Sequence, residues 1–479
     1  MLKKLLPLCL AAALLAGCGS AAQKPAAPSD AAAPPAAVTQ ATAEQAAPGF
    51  TVGTLHELGK IYGGEEDVID HDAYYDAAAL KQDGVGALIL KTDYATGVQS
   101  PLCQRPGCTH DTIDCPAFVE SATVRTRVAA LGGKVYVTNS AALGGSAMER
   151  DLTPKAYPNL TPEGEADLNA LNAADAVPSY VDVFSADGMT RTRLAERTEE
   201  LGFNWCDERA IYALHTSTNL NDPVYMLRVD LADGTCSTVT LPRDAKVAGV
   251  VGNRFLLYRV LSDQDLNALA AEDYDTYLAA KQSATEEYDL WDMATDELET
   301  VYTYGSAETR SVMGAYNGRL YVEYWTVAPQ KGITEAGKIT EINLADGSER
   351  TLMETRPEKE MSAVRFMPLG LPEDGDTPRG FLWMRGTIGK YSYDSSLYLI
   401  DLQNGNANLI TQRAMFQDYA AESTPSPIAQ TNDGRWLIAV GSVSANHNAR
   451  NRYGLIDPAA YLAGSEEYQL VDMYEPDGT

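Results

Sequence analysis

Apolar and polar positions along this chain recur in short units, and residues 317–354 show the unit most clearly. Asn317-Gly318-Arg319 makes a turn, and residues 320–325 form an apolar and aromatic run. A second run ends at Asn343, the tight turn Ala345-Asp346-Gly347 follows, and a third run completes the unit. The turn-plus-run pattern returns at Gly133-Lys134-Val135-Tyr136-Val137, Arg209-Ala210-Ile211-Tyr212, Asn253-Arg254-Phe255-Leu256 and Gly434-Arg435-Trp436-Leu437, and more loosely at Arg379-Gly380-Phe381. The run ending in an acidic or Asn turn returns at residues 92–97, 185–188, 230–234, 292–296 and 401–405. Asp-Gly and Asn-Gly suit hairpins because the turn needs a positive φ. One hairpin cannot bury its own apolar face, so a fixed period of such units predicts stacking. The expected fold is an all-β β-propeller of seven blades, each of four antiparallel strands A to D. They fall near residues 50–118, 124–197, 199–243, 246–304, 309–355, 361–413 and 423–475; six or eight blades are the alternatives.

Two insertions break the period. In residues 142–178, Thr161-Pro162-Glu163 reads as a helix start, with a cap and a proline at the first helical position. In residues 262–284, Ser262 and Asp265 stand at capping-box spacing. Leu266, Leu269, Ala270, Tyr274, Tyr277 and Leu278 then step along one face of a single expected helix. Both insertions fall between strands B and C, which predicts that both emerge on one face of the disc, with helices near 162–174 and 263–281.

The N-terminus has a different texture. Lys3 and Lys4 precede an apolar run over residues 5–16 that is too short to span a bilayer as a mature helix. It ends in Leu15-Ala16-Gly17-Cys18, which resembles the lipobox of bacterial lipoprotein signals, with Cys18 as lipid acceptor and new N-terminus. Residues 19–49 are mostly Ala, Pro, Ser, Gln and Thr, a composition that cannot fold alone. Such chain extends by roughly 3.1 Å per residue, so this tether reaches up to about 90 Å. The expected organisation is a signal over 1–18, a disordered tether over 19–49 and a propeller domain over 50–479, held at the extracytoplasmic face of the membrane through the lipid at Cys18.

The formal charge is −29, and removal of Lys3 and Lys4 with the signal takes it to −31. That balance disfavours nucleic acid and an electrostatic membrane-binding face; it reads as a solvated acidic surface.

Cys103, Cys108, His110 and Cys115 lie within one short stretch. Three thiolates and an imidazole form a donor set for a closed tetrahedral Zn²⁺ site, which gives structure rather than catalysis. Arg105-Pro106-Gly107 would turn the chain so that two thiolates converge. The competing readings are a disulfide, since exported chains are disulfide-permissive, and a free thiol. With Cys18 lipidated, the mature domain holds five cysteines, the other two being Cys206 and Cys236, so complete pairing within one chain is impossible. Placed after the last strand of the first blade, the cluster is expected in a D–A loop on the face that carries the insertions. The string C-x-x-P-x-C-x-H-x-x-x-x-C after a first propeller strand pair resembles uncharacterised lipoproteins of anaerobic bacteria with TolB-like propellers. The resemblance covers most of the chain through the repeats. It implies the fold and an envelope location, and no ligand or activity.

Catalytic motifs are absent from the sequence. There is no S-x-D-x-G-x-T-W box, D-x-D-x-D-G loop, G-x-S-x-G elbow, H-E-x-x-H or P-loop. Five histidines leave little material for acid–base chemistry, and no carboxylate pair stands out among 66 acidic residues. Ligand contacts are expected from loops on the elaborated face: Trp325 at the end of a B strand, Tyr391 and Tyr393 in the next B–C loop, and His447 and Arg450 in the last. Aromatics with a few polar groups commonly line binding sites; blade packing or solvated loop is the plainer alternative for each. His215, ending the run R-A-I-Y-A-L-H, reads as a strand-end residue. The expected function is a non-enzymatic ligand-binding or protein-interaction module, with an envelope protein, a peptide or a glycan as partner. A carbohydrate- or peptide-active hydrolase and a structural partner in an envelope complex are the alternatives.

Overall fold

Strands that pack on both faces read as unbroken apolar runs, and these runs occupy the middle of each sheet. Ala210–His215 and Ser395–Asp401 are of this kind, whereas the outer strand Arg191–Arg197 has only half-buried and exposed positions. The computed structural model describes residues 49–60, 72–79, 87–119, 126–140, 161–162, 164–166, 178–215, 224–328, 333–354, 363–365, 381–387, 395–416, 421–445 and 448–475. The folded unit is Ala47–Thr479, and the described strands fall into seven sheets in chain order. The expected signal, Cys18 and all but the end of the expected tether lie outside the described residues.

The fold is an all-β propeller. Sheets 2 to 7 each hold a complete four-stranded antiparallel meander drawn from contiguous chain, beginning with Arg127–Leu131, Leu201–Cys206, Lys246–Val251, Arg310–Tyr316, Ala363–Arg365 and Ser426–Gln430. First strands of neighbouring sheets approach each other, Arg127–Leu131 meeting Leu201–Cys206 and Lys246–Val251 meeting Arg310–Tyr316, which places them around the axis. Apolar layers lie between successive sheets. Leu256 and Leu290 of sheet 4 meet Leu320 and Ile342 of sheet 5, Tyr321 of sheet 5 meets Ile400 of sheet 6, and Leu399 of sheet 6 meets Trp436 of sheet 7. Sheet 1 packs on both its neighbours, since Leu88, Ile89 and Phe118 share one core with Leu437 and Tyr453 of sheet 7 and with Val137 and Phe184 of sheet 2.

Sheet 1 corrects the expectation of seven equal four-stranded blades. Six blades are complete. Among the described residues sheet 1 has only Ala73–Ala79, Ala87–Asp93 and an outer strand in two pieces, Val98–Pro101 and Phe118–Val119. The turn at residues 93–97 matches the C–D turns of the other blades, so these strands correspond to B, C and D. The C-terminus lies along the outer strand: Gln99 N donates to Asp472 O and Asp472 N to Gly97 O, both at 2.8 Å.

Residues 50–60, expected in the first blade, instead line the axis beside sheets 2 and 3. His56–Glu57 pairs with Cys206 and Trp205, and Gly59–Lys60 pairs with Val128 and Arg127. Between them Leu58 N donates to Asn204 O at 2.8 Å. Asn204 is free to accept because the pairing of its strand shifts between Phe203 and Trp205. A bulged residue leaves the ladder in this way and turns its backbone to a new partner. Leu55 and Leu58 are buried by the same segment, and a cavity of about 250 Å³ lies against it, lined by Glu57, Arg127, Asn204 and Trp205 among others.

Both insertions join second and third strands, 134–139 to 179–184 and 254–261 to 285–292, so both leave the same face of the ring. In the first, residues 162 and 164–166 are helical, and Thr161 Oγ1 accepts from Gly164 N at 3.1 Å; the rest of the expected helix lies outside the described residues. The second is two helices rather than one, α1 (Leu266–Glu272) and α2 (Tyr274–Gln282). Asp273 ends α1 and accepts from Asp275 N and Thr276 N to cap α2, while Asp265, not Ser262, caps α1. The break turns the expected apolar stripe: Tyr274 is 65% and Leu278 37% exposed. Among the described residues no helix is long and apolar enough to cross a membrane.

Candidate metal centre

The loop that carries Cys103, Cys108, His110 and Cys115 interrupts the outer strand of sheet 1. Val98–Pro101 pairs with residues 90–93, the chain leaves the sheet, and Phe118–Val119 returns to pair with residues 87–88 of the same strand. The expected D–A position is therefore corrected. The return pairing is only two residues long and leaves no periodic trace in the sequence.

Within the loop, short turns fold the ligand residues toward one another. Cys108 N donates to Arg105 O, and Cys115 N donates to Thr112 O at 3.0 Å. Gly107 has φ +74° and His110 has φ +61°. The glycine takes the left-handed region freely, but a residue with a Cβ does so at a cost of roughly 1–2 kcal/mol. One donor atom from each of the three cysteines and the histidine lies within 4.8 Å of all the others. His110 Nδ1 is 3.4 Å from Cys115 Sγ, and Arg105 N donates to Cys103 Sγ at 3.4 Å. All five described cysteines are free thiols. Cys103 and Cys115 are buried, and Cys108 and His110 half-buried. Burial pushes the Cys103 and Cys115 thiols up and the His110 imidazole down, so without a cation the cluster favours its neutral forms.

Contacts outside the cluster fix its place. Gln104 N donates to Gly188 O at 3.2 Å, and Arg105 reaches Asp114 O at 2.9 Å and Met189 O at 3.2 Å, which ties the loop to the C–D turn of sheet 2. Asp114 accepts from Thr161 N and Thr161 Oγ1, both at 2.8 Å, at the first insertion. Four soft or borderline donors at these separations match a tetrahedral S₃N site with no open position. Such a site holds structure and leaves no vacant position for substrate.

Of the residues expected to bind a ligand, Trp325 and Arg450 are among those described. Trp325 lies inside Arg319–Ala328, paired with Ala336, because the hairpin continues past it where a loop was expected. Tyr391, Tyr393 and His447 lie outside the described residues. Arg450 sits in Asn448–Ile456 opposite Val443 and donates to Tyr474 O at 2.8 Å and Gln99 Oε1 at 2.7 Å, which makes it a tie between sheets 7 and 1. His215 stacks on Tyr225 at 4.5 Å and its Nδ1 is 3.1 Å from Glu200 O, at its strand end.

No family model matches the sequence, and no curated protein matches it. Solved structures do resemble the fold. The β-propeller domain of the Trilobed protease from Pyrococcus furiosus is 8% identical, with a TM-score of 0.43 over 89% of this chain and 98% of that one. Oligopeptidase B from Leishmania major is 10% identical, with a TM-score of 0.42 over 89% of this chain and 49% of that one. An oligogalacturonate lyase in complex with manganese is 14% identical, with a TM-score of 0.34 over 60% and 69%. At these identities the likeness is one of fold.

Proposed function

We propose that the chain is an extracytoplasmic lipoprotein, anchored through Cys18, whose propeller works as a non-catalytic protein-interaction module. The observation that carries the interaction reading is the exposed Tyr274 and Leu278, four residues apart on α2. Side chains at that spacing share one helix surface, and aromatic anchors are what interfaces concentrate. Asp265, Asp273 and Asp275 lie exposed around them, so the matching partner is a protein that offers an apolar pocket with a basic rim. The axis-facing edges of sheets 2 and 3 are already paired to residues 56–60, which also favours the decorated face over the axis as the docking surface.

A photo-crosslinking amino acid placed at position 274, in cells that make the full chain, tests this reading. The expected result is one crosslinked envelope protein, lost with Leu278→Asp, and no such product from position 346 on the opposite face. Equal labelling from both positions, or none from 274, would reject it. Cys18→Ser is expected to release the protein from the membrane fraction; unchanged detergent-requiring association would reject the anchor.

A further inference from the structure

We infer that the loop over residues 102–117 is a structural Zn²⁺ centre, and that occupancy of this centre sets the position of Thr161 and Gly164 through Asp114. The inference stands apart from the partner reading, because it concerns sheet 1 and the insertion of sheet 2 rather than α2.

The geometry carries the first half. Three sulfurs and one imidazole nitrogen converge within 4.8 Å, two of the thiols are buried in a core cluster, and His110 is held in the left-handed region. Strained backbone persists where its surroundings over-determine it, and a metal–nitrogen bond provides that constraint. Soft thiolate donors select Zn²⁺ over Ca²⁺ or Mg²⁺. Binding takes the three thiols to thiolates, releases their protons to solvent and involves no change of oxidation state.

The second half follows from what Cys115 is joined to. Asp114 precedes it, and the Asp114 carboxylate accepts both the backbone N–H and the hydroxyl of Thr161. Thr161 in turn accepts from Gly164 N. Gly164 packs against the same carboxylate so closely that a Cβ there would come within 2.3 Å of Asp114 Oδ1. A ligand that fixes Cys115 thus fixes the carboxylate beside it, and the carboxylate holds Thr161 and, through it, Gly164. No other described hydrogen bond ties Thr161 to sheet 1.

The test uses the full chain, reduced and loaded with Zn²⁺ or Co²⁺. The expected results are about one metal per chain, the charge-transfer and ligand-field bands of tetrahedral cobalt with sulfur donors, and amide exchange at Gly164 and Glu165 that speeds up when a chelator strips the metal. His110→Ala should weaken metal binding by about tenfold or more, and Cys108→Ser, at a half-buried position, gives a second readout should the first variant fold poorly. Asp114→Ala and Gly164→Ala should keep full metal stoichiometry yet show fast exchange at residues 164–165 with or without metal. Failure of the reduced protein to bind either metal, or a disulfide within the triplet, overturns the centre. Exchange at 164–165 that ignores both the metal and Asp114→Ala overturns the coupling while leaving the centre in place.

Discussion

Arg450 in the last sheet donates to Gln99 Oε1 in the first, across 351 residues of sequence, at 2.7 Å. The same guanidinium reaches Tyr474 O, and Gln99 passes the contact on to Asp76 and Thr92 through its amide. Tyr453, also from sheet 7, donates to the other Asp76 oxygen at 2.9 Å. Ring closure therefore uses a buried polar network beside the shared apolar core, a place where each lost partner leaves another group unsatisfied.

Arg450→Ala is expected to lower the unfolding free energy by on the order of 2 kcal/mol, since a charged hydrogen-bond donor is removed from a half-buried site and Gln99 Oε1 loses the Arg450 hydrogen bond. Urea unfolding followed by fluorescence should show a lower midpoint at unchanged slope. A variant as stable as the parent would mean that Arg450 does not hold the ring.

The same network has a pH dependence of definite sign. Burial lifts the Asp76 carboxyl above its ordinary value, against the opposing pull of Arg450 and of the hydrogen bonds from Tyr453 and Gln99. A carboxyl with a raised pKa in the folded state favours folding while it is protonated. That contribution is complete at low pH and is lost as the pH rises from the ordinary value through the folded one. Asp76→Asn cannot ionise, and Tyr453 can accept as well as donate toward it. The stability of the parent relative to this variant should therefore fall as the pH rises above the ordinary carboxylate range, read from paired denaturation curves; a difference that is flat or opposite in slope would contradict the assignment.

Much of this architecture was legible in the chain, and the rest was hidden for identifiable reasons. Apolar runs such as Ala210–His215 and turns such as Asp233-Gly234, Asp346-Gly347 and Asn404-Gly405 marked blades, because buried central strands and positive-φ turns constrain residue type. Insertions stood out as breaks in that period. His56–Glu57 and Gly59–Lys60 did not, since two-residue polar strands have no periodicity and their partners lie far away in sequence. The split outer strand escaped notice for the same reason. The sequence puts Trp325 at a strand end and Arg450 in a loop, because nothing in the residue pattern shows that each hairpin continues past the expected turn. The break at Asp273 was masked by an apolar spacing that a continuous helix would also satisfy. For the metal-ligand cluster, residue type and spacing suggested the donor set, while its position within a strand depended on pairing.

Leu58→Ala tests the axial segment. Leu58 is buried between sheets 2 and 3, packed with Val181, Phe203 and Ile211. Truncating a buried leucine costs about 2–5 kcal/mol through lost transfer energy and the cavity left behind. The expected outcome is a loss in that range, with faster amide exchange at residues 56–60 and 204–206. If exchange rises only at 56–60 while global stability holds, the segment is an appendage to the ring rather than part of its core.

The last prediction concerns why the tight turns carry glycine. Gly234 and Gly405 both have positive φ, +76° and +75°, and a Cβ on either would lie 2.1 Å from Leu194 O or 1.9 Å from Leu352 O of the preceding blade. Gly347 has nearly the same φ, +70°, but nothing within 4 Å. The backbone cost of alanine in the left-handed region, roughly 1–2 kcal/mol, is therefore common to all three positions, while the clash with a neighbouring blade applies to two. Leu194 and Leu352 both sit at register shifts of their outer strands, so the bulged backbone must give way, the blades must separate or the turn must rebuild. Gly405→Ala and Gly234→Ala should each destabilise the protein clearly more than Gly347→Ala, measured as the shift in urea midpoint. Equal shifts for the three variants would show that the turns choose glycine for φ alone and that the close approach between blades has no energetic weight.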